Sequence, residues 1–162
     1  MIGQYIKYIF ISILLVIIQT TVIRLLSLEG ITPDILAIWI VYLALKQGQV
    51  KAMVWGFCIG LLLDFVTGNF IGLSALTKTL CGFFAGYFFN ENKTHFTLSS
   101  YRFLIVVFFA SLFQNVIYFI IFTRGTEIGL LNAIFGFGIA TTLYTATLAL
   151  LPMFIFARRY AS

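Results

Sequence analysis

The sequence predicts an all-α membrane protein with six transmembrane helices in a single polytopic domain, residues 1–162. Hydrophobic residues make up 62% of the chain and charged residues only 9%, a balance that ordinary soluble domains do not have. Two segments without Asp, Glu, Lys or Arg, 103–123 and 128–157, reach the ~20 residues that a spanning helix needs. The apolar runs also lack the alternation of a membrane β-barrel strand.

The first two predicted helices differ in length. The first covers residues 5–26. The second has a clear start, with Thr32 as N-cap, Pro33 at the first helical position and Asp34 in the first turn. It runs to Lys46 and is short, ~21 Å at 1.5 Å per residue.

Four further helices are predicted beyond a turn at Gly48. They cover residues 50–66, 72–89, 101–123 and 128–157. Pro152 is expected to kink or end the last of them, because proline lacks a backbone N–H.

The basic residues predict the orientation of these helices. With the N-terminus inside, the inner side receives Lys7, Lys46, Lys51, Lys93, Arg102, Arg158 and Arg159, and the outer side Arg24 and Arg124. Cytoplasmic loops carry the excess of Lys and Arg, so both termini are predicted to be cytoplasmic. Omitting the short second helix would reverse the bias. Because the net charge of +5 marks helix ends and forms no patch, no nucleic-acid partner is expected.

The third and fourth predicted helices each carry one charge and a stripe of glycines. Steps of four residues lead from Asp64 to Gly60 and Gly56, and from Lys78 to Gly82 and Gly86. Small residues at this spacing allow helix backbones to approach closely in lipid. The sequence therefore predicts a tightly packed antiparallel hairpin.

Asp64 and Lys78 lie at similar depth in this hairpin, because the midpoint between them falls in the turn. An unpaired charge costs ~2.5–3.5 kcal/mol at the centre of a membrane helix. Three interpretations remain open at this point. The two residues pair; or Lys78 extends outward while Asp64 stays hydrated at the rim; or they form a solute or proton site.

Polar residues also occur near the middle of the fifth predicted helix. Ser111, Gln114 and Asn115 interrupt its apolar run, and Ser111 and Asn115 share a face. They predict either interhelical hydrogen bonds, worth ~0.6 kcal/mol each, or a ligand pocket or partner contact. Gln19, near the outer end of the first helix, is interpreted as interfacial.

The residues of an enzyme or metal site are missing from the sequence. His95 is the single histidine, so no Ser-His-Asp set is expected within the helices, and we predict neither catalytic residues, nor a metal site, nor a cofactor. Cys58 and Cys81 fall inside predicted helices and are interpreted as two buried thiols used as small apolar residues.

An ordered series of short motifs covers residues 32–88. Pro-Asp opens the second helix, "YLAL" ends in a basic residue and a glycine, "GFCIGLLLD" and "GNFIGL" follow, and the next helix contains glycine. The residues concerned are Pro33, Asp34, Lys46, Gly48, Gly56, Gly60, Asp64, Gly68, Gly72 and Gly86. This order resembles the bacterial rod-shape-determining protein MreD family, although "GNFIGL" departs from the family's "GxxxLGL".

The resemblance implies a non-enzymatic, multi-pass protein of the bacterial inner membrane. Such proteins belong to the cell-elongation machinery, which builds peptidoglycan and sets rod shape. The implied partners, besides membrane lipid, are MreC, bound through helix faces, the MreB filament through MreC, and RodA with its penicillin-binding transpeptidase.

The family's fold is also similar to the substrate-binding membrane subunits of energy-coupling-factor vitamin transporters, which gives an alternative function. A scaffold predicts a closed hairpin without a sizeable polar cavity. A solute-binding subunit predicts a pocket that opens outward and is lined by loops and helix ends.

Overall fold

The computed structural model describes residues 2–25, 31–68, 70–98, 100–124 and 130–161, which are largely helical. The helices are α1 (Ile2–Leu25), α2 (Ile35–Gln47), α3 (Gln49–Thr67), α4 (Leu73–Gly86), α5 (Thr94–Leu98), α6 (Tyr101–Thr123), α7 (Leu130–Asn132), α8 (Ile139–Leu148) and α9 (Leu150–Ala161). A 3₁₀ turn, Glu91–Lys93, precedes α5, and a π-helical segment, Ala133–Gly138, joins α7 to α8. The predicted start of the sixth helix near residue 128 lies outside the described residues.

Within the described residues, four helical stretches are long and apolar enough to cross a membrane. They are Gly3–Val22, Gln49–Thr67, Tyr101–Thr123 and Ala133–Ile155. Helices α2 and α4 have 13 and 14 residues, about 20 Å at 1.5 Å per residue, which is shorter than the ~30 Å hydrocarbon core. The predicted all-helical membrane fold is confirmed for the described residues, whereas six crossings and their orientation remain predictions.

Helix α2 is the centre of the fold. It packs against α1, α3, α4, α6 and α8. Its buried side chains include Leu36, Ile40 and Leu43, each with no exposed surface, and Phe103 and Val107 of α6 belong to the buried residues of the same core. A helix that is apolar on every side is expected at such a position.

Helix α2 begins two residues later than the sequence predicted. Its N-cap is Asp34, whose carboxylate accepts a hydrogen bond from the Ala37 N–H at 3.0 Å. The prediction of Thr32 as N-cap and Pro33 as first helical residue is therefore wrong. The aspartate prevails because its carboxylate satisfies an N–H that the first turn cannot pair.

The α3–α4 hairpin is as closely packed as the glycine stripes predicted. A Cβ added to Gly82 would lie 2.7 Å from the backbone oxygen of Ala52, and one added to Gly60 would overlap the backbone of Ala75. Gly56 and Gly86 meet the facing helix in the same way, against Lys78 and Gln49. The two helices touch backbone to backbone, so any larger side chain would force them apart.

The last predicted helix is interrupted twice. The π-helical segment Ala133–Gly138 lies near its start, and α8 ends just before Ala149. Pro152 lies in the first turn of α9, where a residue without an N–H costs least. The predicted kink near Pro152 thus corresponds to the break between α8 and α9. The π-helical segment was not predicted; such segments occur frequently at functional sites.

Candidate functional site

Asp64 connects the end of α3 to the beginning of α4. Its side chain is fully buried, and its Oδ2 accepts hydrogen bonds from the N–H groups of Gly72 at 2.8 Å and Ser74 at 3.2 Å. The first turn of a helix has N–H groups without partners and a partial positive charge, which a carboxylate complements. Because lipid offers no replacement for water at these groups, Asp64 acts as the N-terminal cap that α4 does not supply itself.

Lys78 pairs with Asp34. Its Nζ lies 2.6 Å from Asp34 Oδ2, and its side chain is only 3% exposed. The interpretation that Lys78 pairs with Asp64 is wrong, and so is the interpretation that it extends outward. Depth along the hairpin favoured Asp64 as the partner, but the packing of α2 against α4 brings Asp34 to Lys78, while Asp64 accepts hydrogen bonds from the backbone of α4.

Asp34 connects four helices, three through its side chain and one through its backbone N–H. Besides the bonds to Lys78 in α4 and to its own helix, its Oδ2 accepts a hydrogen bond from Gln114 Nε2 of α6 at 2.7 Å. Its backbone N–H donates to Thr145 Oγ1 of α8 at 3.0 Å. We call Asp34, Lys78 and Gln114 the polar centre. Charge-assisted bonds of this kind are stronger than neutral ones, and buried networks fix the relative positions of the elements they join.

Gln19 supports the segment that precedes α2. Its Nε2 donates to the Pro33 carbonyl at 2.9 Å, and its Oε1 accepts from the Ile35 N–H at 3.0 Å. The prediction placed Gln19 at the membrane interface and did not include these hydrogen bonds to the segment before α2. The predicted topology already placed Gln19 and Asp34 toward the same side, which was the signal available in the sequence.

The polar residues of α6 have different environments. Asn115 Nδ2 donates to Thr142 Oγ1 of α8 at 3.0 Å, and Thr142 donates to the Gly138 carbonyl at 2.8 Å. Ser111 Oγ is buried and has no hydrogen-bond partner among the described residues. Gln114 and Asn115 therefore form interhelical bonds, as one of the two interpretations predicted, and Ser111 does not.

A cavity of about 410 Å³ lies above the polar centre. The polar centre contributes one part of its lining, and Tyr118, Phe119, Phe122 and Phe137 contribute another. The cavity adjoins the N-terminus of α2, since Thr32 and Asp34 line it, and α6 contributes residues from Gln114 to Thr123. We call this space the polar cavity. The scaffold interpretation predicted no sizeable polar cavity, so on this criterion the chain departs from that interpretation.

The comparison with protein families gives a match over nearly the whole chain. The family model described as rod shape-determining protein MreD matches residues 1–160. The chain belongs to the MreD family. The match extends well beyond the motifs of residues 32–88. Searches of curated proteins and of solved structures gave no match.

This MreD-family chain is a membrane protein of the rod-shape machinery, as its family and its four long apolar helices indicate. The described part of the chain contains no group of three or more His, Cys, Asp or Glu that could hold a metal ion. Cys81 is buried as predicted, but Cys58 is exposed, so its interpretation as a buried thiol is wrong. The groups gathered at the polar cavity are an ion pair, carboxamides and hydroxyls, which can fix helices and bind polar groups.

Proposed function

We propose that this MreD-family chain is a non-enzymatic scaffold of the bacterial inner membrane that binds MreC through exposed helix faces. The family match over residues 1–160 carries the proposal. The polar centre and the α3–α4 hairpin support it, because a scaffold must hold its binding faces in fixed relative positions. The polar centre and the hairpin contact both lie between helices and leave the outer faces of the bundle available to a partner.

The outer faces offer ample apolar surface for a transmembrane partner. Only 11% of the α1 span is buried within the chain, against 33% of the α6 span. Ile6 and Phe10 of α1 are 60% and 68% exposed. Helices associate in lipid through close packing and polar contacts, so we place the transmembrane helix of MreC on such a face and lipid on the remainder.

The proposed assembly consists of this chain, MreC and the partners that MreC connects to it. The chain crosses the inner membrane as one domain of six helices, with both termini in the cytoplasm. MreC connects it to the MreB filament, and RodA with its penicillin-binding transpeptidase joins the same peptidoglycan-synthesising machinery. The chain contributes position and orientation, and its partners contribute the chemistry.

Purification in mild detergent tests the proposal through the proteins that accompany the chain. We expect MreC to co-purify with the wild type and to decrease strongly with Lys78→Met, which disrupts the polar centre. Lys51→Met removes the same charge from an exposed position and should retain MreC. Size-exclusion profiles show whether each variant is folded. Recovery of an energy-coupling ATPase without MreC would refute the scaffold.

The polar cavity favours a second candidate, a solute-binding subunit of an energy-coupling-factor-type vitamin transporter. Its volume of about 410 Å³ falls in the range of small-molecule sites. This function predicts that a vitamin is released when the purified protein is denatured, and that the transporter's ATPase subunits co-purify. Mass spectrometry of the released small molecules separates the two candidates.

A further inference from the structure

The polar cavity contains hydrogen-bonding capacity that the helices do not use. Gln114 is 5% exposed, and although its Nε2 donates to Asp34, its Oε1 has no partner among the described residues. A lysine ammonium has three donors, and within the described part of the chain only Asp34 accepts from Lys78. A buried polar group without a partner is costly, so these positions call for an occupant.

The charges around the cavity define the charge of that occupant. Lys78 and Asp34 neutralise each other at 2.6 Å. Asp64 does not line the cavity, and its carboxylate accepts hydrogen bonds from the backbone N–H groups of Gly72 and Ser74. A charged ligand would therefore find no unpaired counter-charge among the lining residues, which is strongly unfavourable in a buried site. An uncharged ligand that both accepts and donates hydrogen bonds matches the free groups of Lys78 and Gln114.

Another part of the cavity lining is aromatic. Phe119, Phe122 and Phe137 line it, together with the ring of Tyr118. Aromatic side chains of this kind contact the non-polar part of a ligand, while a few convergent polar groups fix its orientation. The cavity is therefore lined by both polar and aromatic side chains.

We propose that the polar cavity binds an uncharged hydroxyl or carboxamide group. The group accepts a hydrogen bond from Lys78, donates one to Gln114 Oε1, and places its apolar remainder against the phenylalanines. A lipid headgroup and a free solute can both supply this chemistry. The proposal is independent of MreC binding, since it rests only on the cavity and its lining.

Four probes with one aromatic ring and different polar groups test whether the site prefers uncharged ligands. Benzamide and benzyl alcohol are uncharged, whereas benzoate and benzylammonium carry opposite charges. Saturation-transfer NMR on the purified full chain should give apparent affinities at least about tenfold higher for the two uncharged probes. Equal affinities for all four, or tighter binding of a charged probe, would overturn the proposal, as would the absence of binding, which would leave water as the occupant.

Matched variants locate the binding. Gln114→Met should weaken benzamide binding about tenfold or more, whereas Gln47→Met should leave it unchanged. Gln47 is the suitable control because its side-chain amide is also buried without a partner among the described residues, and it does not line the cavity. Should Gln114→Met fail to fold, Phe122→Trp fills the cavity instead and should reduce binding. Unchanged binding in folded Phe122→Trp contradicts the proposed location.

Photolabelling and competition complete the test. A 4-azidobenzamide label should appear on peptides from α6 or from the segment 133–141, and label confined to other helices would overturn the site. Displacement of benzamide by monoolein but not by glycerol would identify a lipid headgroup as the source, and displacement by glycerol would identify a free solute. Either displacement supports the proposal, and displacement by neither contradicts it.

Discussion

Replacing Lys78 with methionine should destabilise the chain by about 3 kcal/mol. The lysine lies 2.6 Å from Asp34, and the two side chains are 3% and 14% exposed. Breaking a buried pair by removing one partner costs about 3–5 kcal/mol, and a charge near the centre of a membrane helix costs ~2.5–3.5 kcal/mol. Because Asp34 keeps its hydrogen bonds from Gln114 and Ala37, the lower end of these ranges applies.

The double variant separates pairing from general damage. Asp34→Asn removes the charge but keeps an oxygen for the Ala37 N–H, so the N-cap of α2 survives. Combined with Lys78→Met it leaves neither charge unpaired. We expect the double variant to be more stable than the sum of the two single losses predicts, by about 1.5–3 kcal/mol.

The measurement is equilibrium unfolding by SDS in mixed micelles, followed by the fluorescence of Trp39 and Trp55. A parallel cycle of Asp64→Asn with Lys78→Met is the control, and its losses should add within about 0.5 kcal/mol, because Asp64 bonds to α4 backbone and not to Lys78. Additive losses for Asp34 with Lys78, or strong coupling for Asp64 with Lys78, would refute the assignment of the ion pair.

Three further predictions concern the hairpin and the thiols. Gly60→Ala should destabilise the chain by about 1–3 kcal/mol in the same assay, because its Cβ would overlap α4, whereas Gly136→Ala, with open space around it, should have little effect; equal losses would contradict the packing. Asp64→Ala should cost about 1–3 kcal/mol and Asp64→Asn less, since asparagine retains one acceptor; the reverse order would argue against capping. Cys58→Leu, on the outer surface of α3, should have little effect in the same assay, whereas Cys81→Leu should cost about 1–3 kcal/mol because Cys81 is buried; equal losses would contradict this difference in burial.

The helices and the hairpin could be predicted because their causes are local. Helix α6 begins and ends at the predicted residues, 101 and 123, since a long, mostly apolar run without a charged residue from 103 to 123 leaves few alternatives. The close packing of α3 against α4 was also predicted correctly from their glycine stripes, because neighbouring antiparallel helices joined by a short turn must pack against each other.

The predictions failed where several residues could satisfy the same contact, whether they are near or distant along the chain. Thr32, Pro33 and Asp34 all suit the start of a helix, and the contact of Asp34 with Ala37 was one of several local solutions. The burial of Cys58 was misassigned because it depends on which neighbouring helix covers the thiol, and this is a property of the packed bundle.

The sequence by itself determined that this chain is a helical membrane protein of the MreD family, where most of its helices lie, and that α3 and α4 touch closely. These properties follow from apolar length, motif order and residue size. Only the tertiary structure decided which carboxylate pairs with Lys78, 44 residues away along the chain, and that a polar cavity adjoins the N-terminus of the short α2. A buried charge takes its partner from whichever helix packs beside it, and that neighbour is fixed by the fold as a whole.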